Sequence, residues 1–215
     1  MMHAIVQAPK LPTQLEPTPL NQLHQPVEGA SIQTGTLANL SLERASIALS
    51  RIIECELTAC VIKSADISDT QFTRCHLFGT SFDSSSFIRV SFAGGLASAV
   101  IMSSSTIKDT SFTDLKLNMA NFSAASLSRV SFTNCDLSEA SFQGANLNDV
   151  RFEDCLLDRT ALDRAHLYKT SFNSCNLSTI RGLDGLRGVS VTDNQLIQLA
   201  PLLAAEAGIK LIDRP

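Results

Sequence analysis

The sequence predicts an all-β solenoid, a four-sided coil of about 7.5 turns with a helical segment at its C-terminal end. Three observations predict it. Every fifth residue from Ile32 to Leu177 is apolar, and Ala97 is the only small member of that series. Two places before each of these, from Ala30 to Cys175, the residue is small (Ala, Gly, Ser, Thr, Cys or Val), except at Leu40 and Leu115. Residues twenty apart resemble one another, as in Phe72, Phe92, Phe112, Phe132, Phe152 and Phe172.

A period of five belongs neither to a helix, at 3.6, nor to a strand, at 2. It suits a coil in which each pentapeptide forms one side of a square. The large residue then points into the axis. The small one points inward near a corner, where successive turns stacked at about 4.8 Å leave little room. Four sides to the turn place residues i and i+20 on top of each other. The column Asp69, Arg89, Asp109, Arg129, Asp149, Lys169 therefore alternates in sign, so that opposite charges stack.

The flanks lack the pattern. Residues 1–28 hold five of the seven prolines, Pro9, Pro12, Pro17, Pro19 and Pro26, and read as an extended or disordered leader, with a short part near Val27 packing on the first turn. The coil occupies residues 29–180. In residues 181–215, Thr192 or Asp193 can cap a helix bearing Leu196, Ile197, Leu199, Ala200, Leu202, Leu203 and Ala204 that stops at Gly208. Pro201 is expected to kink or restart it, and Ile209–Ile212 reads as a short strand. Both faces of the helix are apolar, and one coil end can cover only one of them. The segment therefore either dimerises, through Leu196, Leu199, Leu202 and Leu203, or caps its own coil.

Composition excludes several functions. A net charge of -4, from 21 acidic and 17 basic residues, lacks the cationic footprint of direct nucleic-acid binding. Trp is absent and there is one Tyr, so base-stacking platforms have no material. No apolar run reaches membrane-span length and the start MMHAIVQAPKLPTQ does not read as a signal peptide, so a cytoplasmic protein without membrane contact is expected. The six cysteines all occupy the small inward position, five of them in one column, and read as buried thiols. His3, His24, His76 and His166 are dispersed, and the Gly94–Gly95 pair marks a weak turn around Ala97. No catalytic motif, metal or cofactor is expected, so function falls to the surface shown to a partner.

Charge can be sorted by side. The half of each turn holding Phe132 and Leu137 carries Glu54, Glu56, Asp114, Asp136, Glu139, Glu153, Asp154 and Asp158 against Arg74, Lys116 and Arg159, whereas the opposite half is balanced. The segment SFTNCDLSEASFQGANLNDVRFEDCLLDRT resembles the pentapeptide-repeat proteins, whose fold is a right-handed quadrilateral β-helix. The order of repeat, GV turn, apolar helix and Gly-Ile strand is similar to the Qnr-type and MfpA-type members, where it makes a head-to-head dimer. That resemblance implies a DNA-mimicking rod that binds a type II topoisomerase, DNA gyrase or topoisomerase IV, and protects it from inhibitors such as quinolones. It makes Asp114, Asp136, Glu139, Glu153, Asp154 and Asp158 the partner-binding face. The unbroken register leaves no room for projecting loops, which fits the loop-less MfpA-like mode. The alternative is a protein-interaction scaffold using the outward Ile88, Leu96, Ile101, Met119, Leu156 and Tyr168.

Overall fold

The computed structural model describes residues 4–210. The chain winds as a quadrilateral β-helix of about seven turns, in which every coil pairs in parallel with the next at a register of twenty residues. Phe92, Phe112, Phe132, Phe152 and Phe172 thus stand opposite one another in order. We call the sides first to fourth by their axial residues: Leu127, Phe132, Leu137 and Phe142 represent one turn.

The sides are of two kinds. The first and second form strands that run through the corner between them, as in Asp66–His76 and Ser86–Leu96. The third and fourth are closed by β-turns, with Ala120 N–H donating to Leu117 O (3.0 Å) and Ala125 N–H to Phe122 O (3.1 Å). Single bridges such as Lys116 to Asp136 join them from coil to coil. At every corner from Thr34 to Ser174, the residue two places after the axial one is left-handed, with φ between 46° and 59° wherever it is not glycine. Such a backbone costs roughly 1 kcal/mol per L-residue. The corner amides offset that cost by bonding the next coil, as Glu139 N–H does to Asp158 O at 2.8 Å. Gly94 is one of these corners (φ 67°) and lies within a strand; the turn at Ala97 is the ordinary third-side β-turn, closed by Val100 N–H on Ala97 O at 3.2 Å, and is not made by the glycine pair. Its neighbour Gly95 is required, because a Cβ there would meet Cys75 O at 2.1 Å.

Every axial residue from Ile32 to Leu177 is buried except Leu37 and Leu167, which are half-buried. The second-side phenylalanines stack at 4.8–5.0 Å between ring centres, and Phe122 and Phe142 reach in from the opposite side to meet them edge-on. The small inward residues do more than save space. Their hydroxyls and thiols donate to carbonyls of the coil below: Ser105 to Phe82 O (2.9 Å), Thr160 to Leu137 O (2.9 Å), Cys155 to Phe132 O (3.4 Å). This satisfies backbone acceptors that burial would otherwise leave unpaired.

Both ends are covered. Glu16–Pro17 pairs with Ala30–Ser31, and the 3-10 turn Leu20–His24 buries Leu20 and Leu23, with Val27, over the first coil. At the other end Thr192 caps helix α1, Asp193–Glu206, in a reciprocal capping box with Gln195. Gly208 (φ 72°) closes the helix, with Ile209 N–H on Ala204 O at 2.8 Å. The helix continues through Pro201 as one element, without a restart. The amide missing there would have met the carbonyl of Ile197, an exposed residue where water can substitute. Ile209 and Lys210 form no strand, and the rest of the expected strand lies outside the described residues. No helix among the described residues is long and apolar enough to cross a membrane.

Candidate interaction surfaces

The corner between the second and third sides gathers Asp114, Asp136, Glu153 and Asp154. Asp114 and Asp154 occupy left-handed corner positions two coils apart, with Asn134 between them donating to Asp114 at 2.6 Å. Asp136 accepts the Ser138 amide at 3.0 Å, a local turn that holds its carboxylate against the third side. Among the described residues no basic side chain stands within ion-pair distance of these four. Glu139 and Asp158 differ. They share Arg159, at 2.6 Å and 3.5 Å, in exposed pairs that contribute little to stability. The second side also carries Arg51 and Arg151, which the sorting of charge from the sequence overlooked and which narrow its acidic excess. Arg51 bonds Gln71 at 3.2 Å.

The third side has an apolar stretch as well. Phe78, Leu96 and Met119 lie on successive coils and are 54%, 41% and 52% exposed. Phe78 was not singled out from the sequence, since it directly follows an axial leucine and is masked by the repeat. Ile88 and Ile101 are half-buried; Leu156 and Tyr168 are exposed, Tyr168 beneath the Lys169 ammonium at 5.4 Å.

Helix α1 divides its leucines. Leu199 is buried (4% exposed) and Leu202 packs half-buried against the coil, so these two serve their own chain. Leu196 and Leu203 remain exposed, at 53% and 42%, along with Ile197 and Ile209.

The leader follows the corner between the first and second sides, the alternating charge column. Arg89 grips Asp69 with two bonds (2.7 and 2.5 Å), and Arg129 grips Asp109 likewise (2.7 and 2.6 Å). Lys10 N–H donates to Asp69 at 3.0 Å and Ala4 N–H to Asp149 at 2.8 Å, and the Gln7 amide between them faces Asp109. Arg151 returns a bond to Ala4 O at 3.3 Å. The guanidinium of Arg89, helped by the Lys10 amide, holds the Asp69 carboxyl below the usual range against the opposing effect of burial. Arg129 and the Gln7 amide do the same for Asp109. From the sequence the column was legible and its occupant was not.

All six cysteines are free and buried. Burial, with the neighbouring Cys75, pushes the Cys55 thiol up to about 11, and burial raises Cys75 too. His24, His76 and His166 are exposed, and His3 lies outside the described residues. Among the described residues no three His, Cys, Asp or Glu side chains converge in a metal-holding group. An open cleft of about 760 Å³ lies where the turn Leu183–Leu186 folds against the last first-side coils, lined by Arg164, His166, Tyr168, Asp184 and Arg187. No local pattern announced it, because it forms only when that turn returns to the coil.

A family model described as the pentapeptide repeat region matches residues 65–132 and 125–183. Among solved structures, a trypsin-treated form of QnrB1, described as a plasmid-mediated fluoroquinolone resistance protein, is similar at 20% identity and a TM-score of 0.45, covering 85% of this chain and 100% of that one. A pentapeptide repeat protein from the Arabidopsis thaliana thylakoid lumen aligns at 20% identity and a TM-score of 0.29, over 61% of this chain and 75% of that one. HetL of Nostoc, involved in regulating heterocyst differentiation, aligns at 17% identity and a TM-score of 0.23, over 74% of this chain and 91% of that one. No curated protein sequence matches the chain.

Proposed function

We propose, from the premise that the chain belongs to the pentapeptide-repeat family, that it is a non-catalytic binding protein whose acidic corner enters the basic, duplex-binding groove of a type II topoisomerase. The observation that carries this reading is the group Asp114, Asp136, Glu153 and Asp154, four carboxylates without a cationic partner among the described residues. Asp114 and Asp154 lie two coils apart, about 10 Å along the axis. Four carboxylates in that length make about one per 2.5 Å, before Lys116 and Arg151 beside them are set against it, compared with one per ~1.7 Å of duplex DNA. A rigid coil presents them with no reorganisation, and a cationic groove evolved for DNA would steer the rod in by the same field.

The resemblance to Qnr-type and MfpA-type proteins extends the reading: the partner is DNA gyrase or topoisomerase IV, and binding shields it from quinolone-type inhibitors in the cytoplasm. The exposed Leu196, Ile197, Leu203 and Ile209 favour a head-to-head homodimer. Two seven-turn solenoids of about 34 Å each then make a rod of roughly 70 Å.

The test is a gyrase supercoiling and pull-down assay with Asp136, Glu153 and Asp154 all changed to Lys. Binding is expected to be lost, while Glu43→Lys with Asp66→Lys on the balanced half leaves it intact. Equal effects of the two reversals would exclude the acidic corner as the contact. A second reading, a protein-interaction scaffold, is favoured by Phe78, Leu96 and Met119 standing exposed on successive coils. It requires Phe78→Ser with Met119→Ser, and not the charge reversal, to abolish capture of the partner.

A further inference from the structure

The leader's three contacts have a geometric cause. Its donors, Ala4, Gln7 and Lys10, are three residues apart, while the acceptors Asp149, Asp109 and Asp69 are separated by two coils each. A polyproline-II chain advances about 3.1 Å per residue and about 9.3 Å in three. Two coils advance about 9.6 Å. The repeats coincide, so an extended segment lying along this corner meets a carboxylate with every third amide. Side-chain exposure follows the same screw: Val6 and Pro9 are half-buried, while Ile5, Gln7, Ala8 and Lys10 are exposed. Pro9 and Pro12 fall in a phase that donates nothing, where a missing N–H has no effect. Arg89 and Arg129 fix the carboxylates from the intervening coils, so the acceptor ladder is held by the coil itself.

We propose that the corner between the first and second sides is a docking groove for extended peptide segments, read through backbone amides at every third residue, and that residues 4–10 fill it in cis as an exchangeable occupant. The ligand class is a polyproline-II segment with non-proline residues in the donating phase and proline or a small apolar residue before the second and third donors, as Val6 and Pro9 stand here. Exchange is feasible because the occupant buries little apolar surface. The two amide-to-carboxylate bonds at Ala4 and Lys10, with the Gln7 amide facing Asp109, do not exceed the entropy of fixing seven residues.

The test uses the full chain carrying Gln7→Pro, which deletes the middle amide and keeps an extended φ, together with a labelled peptide of residues 4–12. Hydrogen exchange at the Lys10 amide is expected to accelerate about tenfold in the variant, and the peptide is expected to bind it saturably and about tenfold more tightly than the unsubstituted chain, whose groove is filled. A peptide carrying the same Gln-to-Pro change should bind about tenfold more weakly. Unchanged Lys10 protection would overturn the amide ladder. Release of the leader without saturable peptide binding would overturn the groove, and equal binding of the two peptides would overturn recognition through the backbone.

Discussion

The carbonyl of Phe172 accepts a hydrogen bond from Gln195 Nε2 at 2.5 Å, in the place where a Ser, Thr or Cys of a further coil would have donated. The same Nε2 reaches Cys175 O at 3.2 Å, and Gln198 Oε1 accepts the Leu177 amide at 3.0 Å. Two glutamines of α1 thus complete the open edge of the last coil. Gln195→Leu keeps the volume and leaves the Phe172 acceptor buried and unpaired. A loss of about 1 to 3 kcal/mol is expected in chemical denaturation. Faster hydrogen exchange should be confined to the last coil and to the first turn of α1, whose capping box also loses Gln195, and exchange spread evenly over all coils would contradict the capping role.

In the core, Phe132 stacks on Phe112 and Phe152 and meets Phe122 and Phe142 edge-on. Phe132→Ala should cost about 3 to 5 kcal/mol. Tyr168→Ala, at a 63% exposed site, should change the denaturation midpoint little.

Thiol-reactive reagent should label the six cysteines only after unfolding. With the Cys55 thiol at about 11, roughly one molecule in a thousand carries its thiolate at pH 8, and closure of the coil blocks the reagent as well. Rapid labelling of several thiols in the folded protein would show that the coil opens.

The depressed carboxyls of Asp69 and Asp109 give a pH signature. A lowered folded-state pKa contributes stability that is fully present above the unfolded value, about 3.9, and is lost as pH falls through the folded value. Arg89, Arg129, Lys10 and Lys108 are the cationic groups that face these carboxyls. Asp109→Gly suits the left-handed corner (φ 51°) and removes the acceptor without strain. Its stability deficit relative to the parent chain should therefore be largest near neutral pH and shrink below about pH 4. Melting temperatures at pH 7, 5 and 3 would check this, and a pH-independent deficit would mean that charge has no part in it.

The two faces of α1 should separate cleanly. Leu203→Glu is expected to keep the chain folded, with melting that no longer depends on protein concentration, and to lower the sedimenting mass to that of one chain. Leu199→Glu buries a charge against the coil and should destabilise by more than about 3 kcal/mol. Unchanged mass in the Leu203 variant would leave the helix as a cap alone.

The sequence by itself determined the coil, its four sides and its twenty-residue register. Axial burial recurs at a fixed interval, so that Phe72 through Phe172 announce both the period and the stacking. It also determined the alternating column from Asp69 to Lys169, because stacking turns period into proximity. The left-handed corners left no comparable trace: they point outward and accept Asp, Arg, Met or Ala alike, since stacked backbone bonds rather than side chains hold them. Only the tertiary structure decided that Lys10 lies on Asp69 and Ala4 on Asp149, that Gln195 finishes the last coil, and that Leu199 turns inward while Leu203 does not. These contacts join the non-repeating flanks to the coil, some across more than a hundred residues, and residues outside a repeat have no neighbour one period away to reveal where they will pack.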